Sequence, residues 1–432
     1  MSTVQSLRKS LSFVRVNYLV LTVNNVLGQF GRSMVFPYAS LYILALGGEP
    51  AQIGLVNSLM PLAGLLVFPI AGYISDLAGR VKLVAYAGYF SAAILLLYIL
   101  APSWHLLAWA ALLRGLLVVQ FPPSSAILAD SLSPKHRGIG MATMNTAGGL
   151  LAIVSPYLGG ALLDAVGVNV GMRILYGVMM VLLVAGATVN LIFLKETTPR
   201  SHATFGLADL PRAFRDAYGC IPETLRSLPR ALKATAGIVI LGFLGNAVAG
   251  PFWVVYAQEQ LGFSPAEWGL ILLIETVLRN LTFLPAGILV DRHGRTRFLL
   301  LSLLLTLASV PTFVLATTFT HVILIRCTVA VANALFMPAC SALMADSVPR
   351  ETRGRVMAAL GRGTVMIGAS SGGTGGPGVG FLVTGPLMVA SLAGGYVYAY
   401  NHTYPWFFAG ATIALSILLC VLFVRDPKVA EV

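Results

Sequence analysis

Charge is what this sequence has least of. Asp and Glu number 16 and Lys and Arg 28 among 432 residues, so charged side chains make up 10% of the chain, where a soluble domain carries about 25%. Hydrophobic residues reach 57% and mean hydropathy is +0.84. No water-soluble core buries that much apolar surface, so the scarcity of charge excludes a soluble fold and makes lipid the solvent. Cysteine is almost absent. Cys220, Cys327, Cys340 and Cys420 have neither disulfide-framework nor metal-ligand spacing. The phosphate cradle G-x-x-x-x-G-K-[ST] occurs nowhere, which removes ATP-driven pumping. A G-x-G-x-x-G does occur, from Gly373 to Gly378, but it contains Pro377 and follows no strand. It reads as a loop, not as a dinucleotide site. His105, His136, His202, His293, His321 and His402 all fall in loops or at helix ends. No nucleophile–base pair or metal site forms at membrane depth, so the chain is not expected to be an enzyme or to hold a cofactor.

What is present is a series of apolar windows long enough to cross a bilayer. Twelve are found, at 16–46, 51–73, 83–101, 104–129, 138–163, 171–194, 234–258, 266–290, 298–317, 320–345, 379–399 and 404–424. The first exceeds one crossing and needs a tilt or a surface turn. The net charge of +12 is a topology signal and does not point to nucleic acid. With the N-terminus placed in the cytoplasm, Arg173 is the only Lys or Arg in an outer loop, as the positive-inside rule requires. Both termini are then cytoplasmic. Anionic lipid is a secondary partner for the basic face.

The chain also repeats itself. "GYISDLAGRVK" (72–82) reappears as "GILVDRHGRTR" (287–297), and "LGGEPAQIGL" (46–55) as "LGFSPAEWGL" (261–270), both 215 residues on. "ADSLSPKHRGIGMA" (129–142) reappears as "ADSVPRETRGRVMA" (345–358), 216 on, and Pro122 pairs with Pro338. Six spans separate the copies, so both face the same way: a parallel repeat. The fold expected is an all-α integral membrane protein of twelve transmembrane helices in two six-helix bundles. Residues 1–194 form the first bundle and 234–432 the second. Between them lies a polar, basic cytoplasmic linker, 195–233, with two amphipathic segments near 207–218 and 222–233. "GASSGGTGGPGVG" (368–380) has no counterpart in the first half.

These features together resemble the major facilitator superfamily, over the whole chain. G-x-x-x-D-x-x-G-R-x-K after the second helix, its copy after the eighth and the central cytoplasmic loop carry the likeness. Gly72 and Gly287 offer close approach to a neighbouring helix. Asp130 and Asp346 end helices 4 and 10, where the helix dipole disfavours a carboxylate, so cations are wanted nearby. Arg80 and Arg137 are available to the first, Arg295 and Arg353 to the second. The resemblance implies that Asp76–Arg80–Asp130 and Asp291–Arg295–Asp346, with Gly79 and Gly294, act as conformational latches. The plainer reading is a basic loop with incidental ion pairs. "SPYLGG" (155–160) is similar to the helix-5 element of proton-coupled exporters through Pro156, Gly159 and Gly160, though Ser155 replaces its glycine. A proline kink with close glycine packing explains it as well.

Arg32, Arg114, Glu275, Arg279 and Arg326 lie inside spans, where charge is costly and marks function. Asn25, Gln29 and Arg32 form a stripe on helix 1, and Arg326 shares a face of helix 10 with Asn333. These residues are the expected substrate and coupling cavity. Arg326, nearer the outer end, can snorkel. Glu275 has Arg279 one turn away, so it is either neutralised there or exchanges protons. Four cations against one carboxylate favour an anionic substrate, unless chloride or lipid balances them. Tyr38, Tyr42, Trp253 and Tyr256 either line the cavity's outer half or anchor at the interface. The expected function is secondary active transport of a small molecule by alternating access, with proton-coupled efflux of amphipathic compounds foremost. The alternatives are proton- or sodium-coupled movement of an organic anion and a lipid-translocating or receptor member of the same fold. The resemblance implies a monomer, expected in the cell membrane.

Overall fold

The computed structural model describes residues 16–132, 137–197, 211, 214, 215, 219, 229–346, 365–370 and 380–425, with backbone alone for 68, 70, 72–78, 137–139, 345 and 381. The described secondary structure is helical throughout. Pass 1 is α1 (Val16–Val35), a 3-10 turn at Pro37 and α2 (Ala39–Ala45). Its excess length is thus taken up by a turn within the bundle. Passes 2 and 3 are α3 (Pro50–Ala78) and α4 (Arg80–Ile99). Pass 4 is α5 (Trp104–Leu116), a 3-10 turn and α6 (Phe121–Ser131). Pass 5 is α7 (Arg137–Ala152) and α8 (Ser155–Val166), and pass 6 is α9 (Val168–Phe193). In the second half, pass 7 is α10 (Arg230–Ala249), a turn at Pro251 and α11 (Trp253–Glu259). Passes 8, 9 and 10 are α12 (Pro265–His293), α13 (Arg295–Ser309) and α14 (Phe319–Asp346). Passes 11 and 12 end the chain with α15 (Phe381–Tyr400) and α16 (Tyr404–Phe423).

Eleven passes hold a stretch long and apolar enough to cross a membrane. The twelfth, pass 1, is less apolar because α1 carries Asn17, Asn24, Asn25, Gln29 and Arg32. Elsewhere the outward faces are hydrocarbon, as with Leu281, Leu284 and Val421. Most of the linker, with its expected amphipathic segments, lies outside the described residues.

The repeated stretches are explained by what they build. One end of the bundle, the turn end, holds Gly47 at φ +80° and Gly262 at φ +71°. Each glycine reverses the chain where a side chain would be strained. A helix cap and a proline at the first helical position follow in both copies. The Gln52 amide oxygen accepts from Glu49 N–H at 2.8 Å. In the second copy the Ser264 and Glu267 side chains each take the other's backbone N–H, at 3.2 and 2.8 Å. The opposite end, the motif end, holds Gly79 at φ +80° and Gly294 at φ +101°, each joining two helices.

The copies differ where prolines do. Pro122 and Pro123 together remove two backbone donors and follow a 3-10 break, whereas the lone Pro338 sits inside a continuous α14. Pass 5 breaks between Ala152 and Ser155. At the corresponding depth of pass 11 the described backbone, 365–370, is not helical.

The halves meet along passes 2 and 11 and along passes 5 and 8. Glycines permit it. A Cβ on Gly54 would lie 2.6 Å from Ser391 O, and one on Gly395 would lie 2.8 Å from Pro50 O. A Cβ on Gly160 would lie 2.2 Å from Pro265 O, and one on Gly269 would lie 2.7 Å from Pro156 O. All four contacts belong to the turn-end half of the molecule, where in lipid small residues let backbones touch.

Candidate substrate cavity and a buried ion pair

Inside the first bundle lies a cavity of about 530 Å³, a volume suited to a drug-sized molecule. It runs from Leu21, Val84 and Asn190 near the motif end to Ile43, Tyr98 and Tyr176 toward the turn end. All six passes of the first half contribute to its wall. Of the residues expected in the cavity, Asn25, Gln29, Arg32 and Arg114 line it; Glu275, Arg279, Arg326 and Asn333 do not. Asn24, Asn57, Asn145 and Asn190 join the lining. The sequence displays them only as isolated amides in apolar runs.

Arg32 folds back along α1, its Nε and Nη2 donating to Gln29 Oε1 at 3.3 and 2.9 Å. Gly28 makes room, since a Cβ there would stand 3.0 Å from Arg32 Nη1. The Asn25 amide donates to Met144 O at 3.2 Å, joining pass 1 to pass 5. Arg114 sits over the Phe36 ring, 5.0 Å from its centroid, and 6.0 Å from that of Tyr98. Gly115 beside it packs on pass 2, where a Cβ would lie 2.4 Å from Met60 O. No carboxylate lines the cavity among the described residues.

The second half uses its charges differently. Glu275 does not pair with Arg279 on its own helix. Its Oε2 accepts from Arg326 Nε at 2.9 Å and Nη2 at 2.7 Å, bridging passes 8 and 10. Arg326 does not snorkel. It is 1% exposed, with its guanidinium 4.6 Å from the Trp253 ring centroid of pass 7. Its Nη1 donates to Gly368 O at 2.8 Å, and Nη2 also donates to Ser370 Oγ at 3.1 Å. Burying a charge is tolerable only with this degree of pairing. Arg279 reaches Met366 Sδ at 3.2 Å instead. Helical spacing points Glu275 at its neighbour one turn away, but a partner on another helix supplies two donors and a drier setting.

The non-helical 365–370 is held by the same cluster. Asn333 donates to Ile367 O at 2.9 Å and accepts from Ile367 N at 2.8 Å. Asn246 donates to Met366 O, and its Oδ1 accepts from Gly368 N at 2.9 Å and Ala369 N at 3.2 Å. Sequence reasoning passed over Asn246, whose one signal is a lone amide in "GFLGNAVAG". Residues 371–379 of the glycine-rich stretch, including all of its G-x-G-x-x-G, lie outside the described residues.

The aromatic residues expected either at the outer half of the cavity or at the interface are buried elsewhere. Trp253 and Tyr256 pack with Phe313 and Trp406. The Tyr42 hydroxyl donates to Tyr98 O at 2.7 Å. Tyr38 joins the halves, donating to Pro156 O at 2.6 Å and lying 3.2 Å from Pro265 O. Pro156 and Gly160 thus sit at this seam, whereas Gly159 packs on pass 1 of its own half, where a Cβ would meet Met34 O at 2.5 Å. Nearby, Asp164 Oδ2 accepts from Ser264 Oγ at 2.7 Å and Ala266 N at 3.1 Å, placing a carboxylate from pass 5 on the N-terminus of α12.

At the motif end, Arg80 pairs with Asp130 at 2.8 Å, and Arg295 pairs with Asp346. Asp291 is exposed on the last turn of α12. Arg353 and the side chains of Asp76 and Arg137 lie outside the described residues, and Gly72 is described by backbone alone. A Cβ on Gly287 meets no described atom within 4 Å, so the close approach expected there is not made in this conformation.

The family model of the Major Facilitator Superfamily matches residues 21–234 and 235–432. The chain belongs to that superfamily. Its fold is the twelve-helix superfamily fold, and it is a multi-pass membrane transporter, not an enzyme. The uncharacterized MFS-type transporter YhjO of Bacillus subtilis is 30% identical over 189 residues, 44% of this chain and 42% of that protein. The multidrug resistance protein MdtG of Serratia proteamaculans is 24% identical over 395 residues, 87% of this chain and 89% of its own. Among solved structures, a mutant of the nucleoside transporter NupG superposes with TM-score 0.68 at 13% identity, covering 94% of this chain and 98% of that one. A bacterial homologue of ferroportin, inward-facing, gives 0.68 at 14%, covering 94% and 97%.

Proposed function

We propose that this superfamily member is a secondary active exporter of small amphipathic compounds, working by alternating access and driven by a proton gradient. The observation that carries the reading is one of placement. A drug-sized cavity is open to polar groups along the motif-end half, while the two halves are sealed by glycine contacts at the turn end. One seal and one cavity describe a half-cycle. Full-length relatives named multidrug resistance proteins support outward movement of such compounds. The protein works as a monomer in the cell membrane, with both termini and the motif end in the cytoplasm, as the positive-inside distribution favours. Glu275 is the acid available for coupling, and taking up a proton requires it to leave Arg326.

Purified protein in sealed liposomes with an acid interior tests this, using fluorescent amphipathic compounds of each charge sign outside. The expected result is compound accumulation with matching loss of internal protons. Gly160→Val is expected to bind compound without moving it, because the turn end cannot close. Proton loss that persists in Glu275→Gln would remove Glu275 from coupling. Accumulation indifferent to the gradient would overturn active export.

A further inference from the structure

The cavity holds two guanidinium groups and, among its described lining residues, no carboxylate. Resting on the transport reading above, we infer that the substrate is an organic monoanion carrying an aromatic or planar apolar body, its anionic group held between Arg32 and Arg114.

Three observations lead there. First, neither arginine forms an ion pair with a carboxylate among the described residues, unlike Arg80, Arg295 and Arg326. Charge in a half-buried polar cavity is balanced by something, and a ligand of opposite sign is the group that reaches both. A cation would meet two like charges, and a neutral compound would leave both uncompensated. Second, each arginine is pre-positioned. Gln29 holds Nε and Nη2 of Arg32, leaving Nη1 without a hydrogen bond among the described residues. Gly28 leaves the space in which that head group lies. Arg114 is fixed by its stacking on Phe36 and its approach to Tyr98. Guanidinium suits the task because its planar fork matches a carboxylate. Third, the cavity has an apolar and aromatic part. Phe36, Tyr98 and Tyr176 lie toward the turn end, and Met60, Phe121 and Met179 also belong to the lining. Met adapts its shape to varied apolar bodies. The head group is therefore specified, and the body is specified only by size.

Direct binding to the purified full-length protein in chloride-free detergent solution tests the inference without requiring transport. The probes are 4-phenylbutyrate, its uncharged amide and 4-phenylbutylamine, which share one body. The carboxylate is expected to bind at least about tenfold more tightly than the amide, with the amine weakest. Arg114→Met is expected to abolish the preference while leaving amide binding in place, and Arg114→Lys to keep part of it. Gly28→Ala, which pushes the Arg32 head group aside, is expected to reduce the preference several-fold. Each variant is first matched to the parent in melting temperature without ligand. Equal binding of the three probes, a preference that survives Arg114→Met, or a preference erased by added chloride would overturn the inference. If the carboxylate binds as expected yet never crosses the liposome membrane, the export reading fails and the recognition stands.

Discussion

At the scale of the residue, the molecule depends most on single groups where charge is buried. Arg326 makes four hydrogen bonds from one guanidinium, to Glu275, Gly368 and Ser370. Removing one member of such a pair strands the other, at a cost of about 3–5 kcal/mol. Arg326→Met and Glu275→Gln are each expected to lower the melting temperature in detergent sharply. The double variant is expected to recover most of the loss, since neither charge then lacks its partner. Gly294 gives a second case. Its φ of +101° joins α12 to α13, and a side chain in so sparsely allowed a conformation costs about 1–3 kcal/mol. Gly294→Ala should melt earlier than the parent protein, whereas Gly177→Ala, in open space at ordinary φ, should match it.

At the scale of the element, helix ends decide which conformation is held. The Asp164 carboxylate at the end of α8 accepts from Ser264 and from the first N–H of α12, that of Ala266, so the dipole of one half is satisfied by an acid of the other. An exposed contact of this kind is worth about 0.3–1 kcal/mol. Asp164→Asn should therefore raise the share of molecules with a parted turn end by about two- to five-fold. Spin labels at Ala45 and Gln260, read as a distance distribution, would report a new, longer component. An unchanged distribution would relegate Asp164 to an ordinary cap. Elements of this kind also show how far a sequence can be read. The passes, their order and the two copies were legible because a 20-residue apolar run and a repeated turn are local signals. Arg32 and Arg114 were legible as costs that lipid does not tolerate without a reason. The partner of Glu275 was not, because helical spacing speaks only of the same helix and Arg326 lies 51 residues away. Nor did local spacing reveal that Asn246 ties down the break of pass 11, or that the cavity belongs to one half.

At the scale of the whole molecule, two glycines at opposite ends make opposite predictions. Gly160 is pressed against Pro265, while Gly287 faces open space. Overpacking a tight contact costs about 1–3 kcal/mol. Gly160→Val should part the turn end in the spin-label experiment. Gly287→Val should leave that distribution as it is, yet slow transport, because the motif ends must meet in the other half of the cycle. Were both variants to transport like the parent, rocking of two rigid halves would be the wrong picture. The cavity's one-sidedness has a separate consequence. Its described lining comes from the first bundle alone, so in the proposed alternating-access cycle that bundle is a cup and the second bundle the lid. A compound short enough to sit below the rim travels with the cup and is released. A longer one with the same head group protrudes and wedges the lid. Within a single chemical series, cargo and inhibitor should then be separated by length, with the changeover where the tail outgrows the cup.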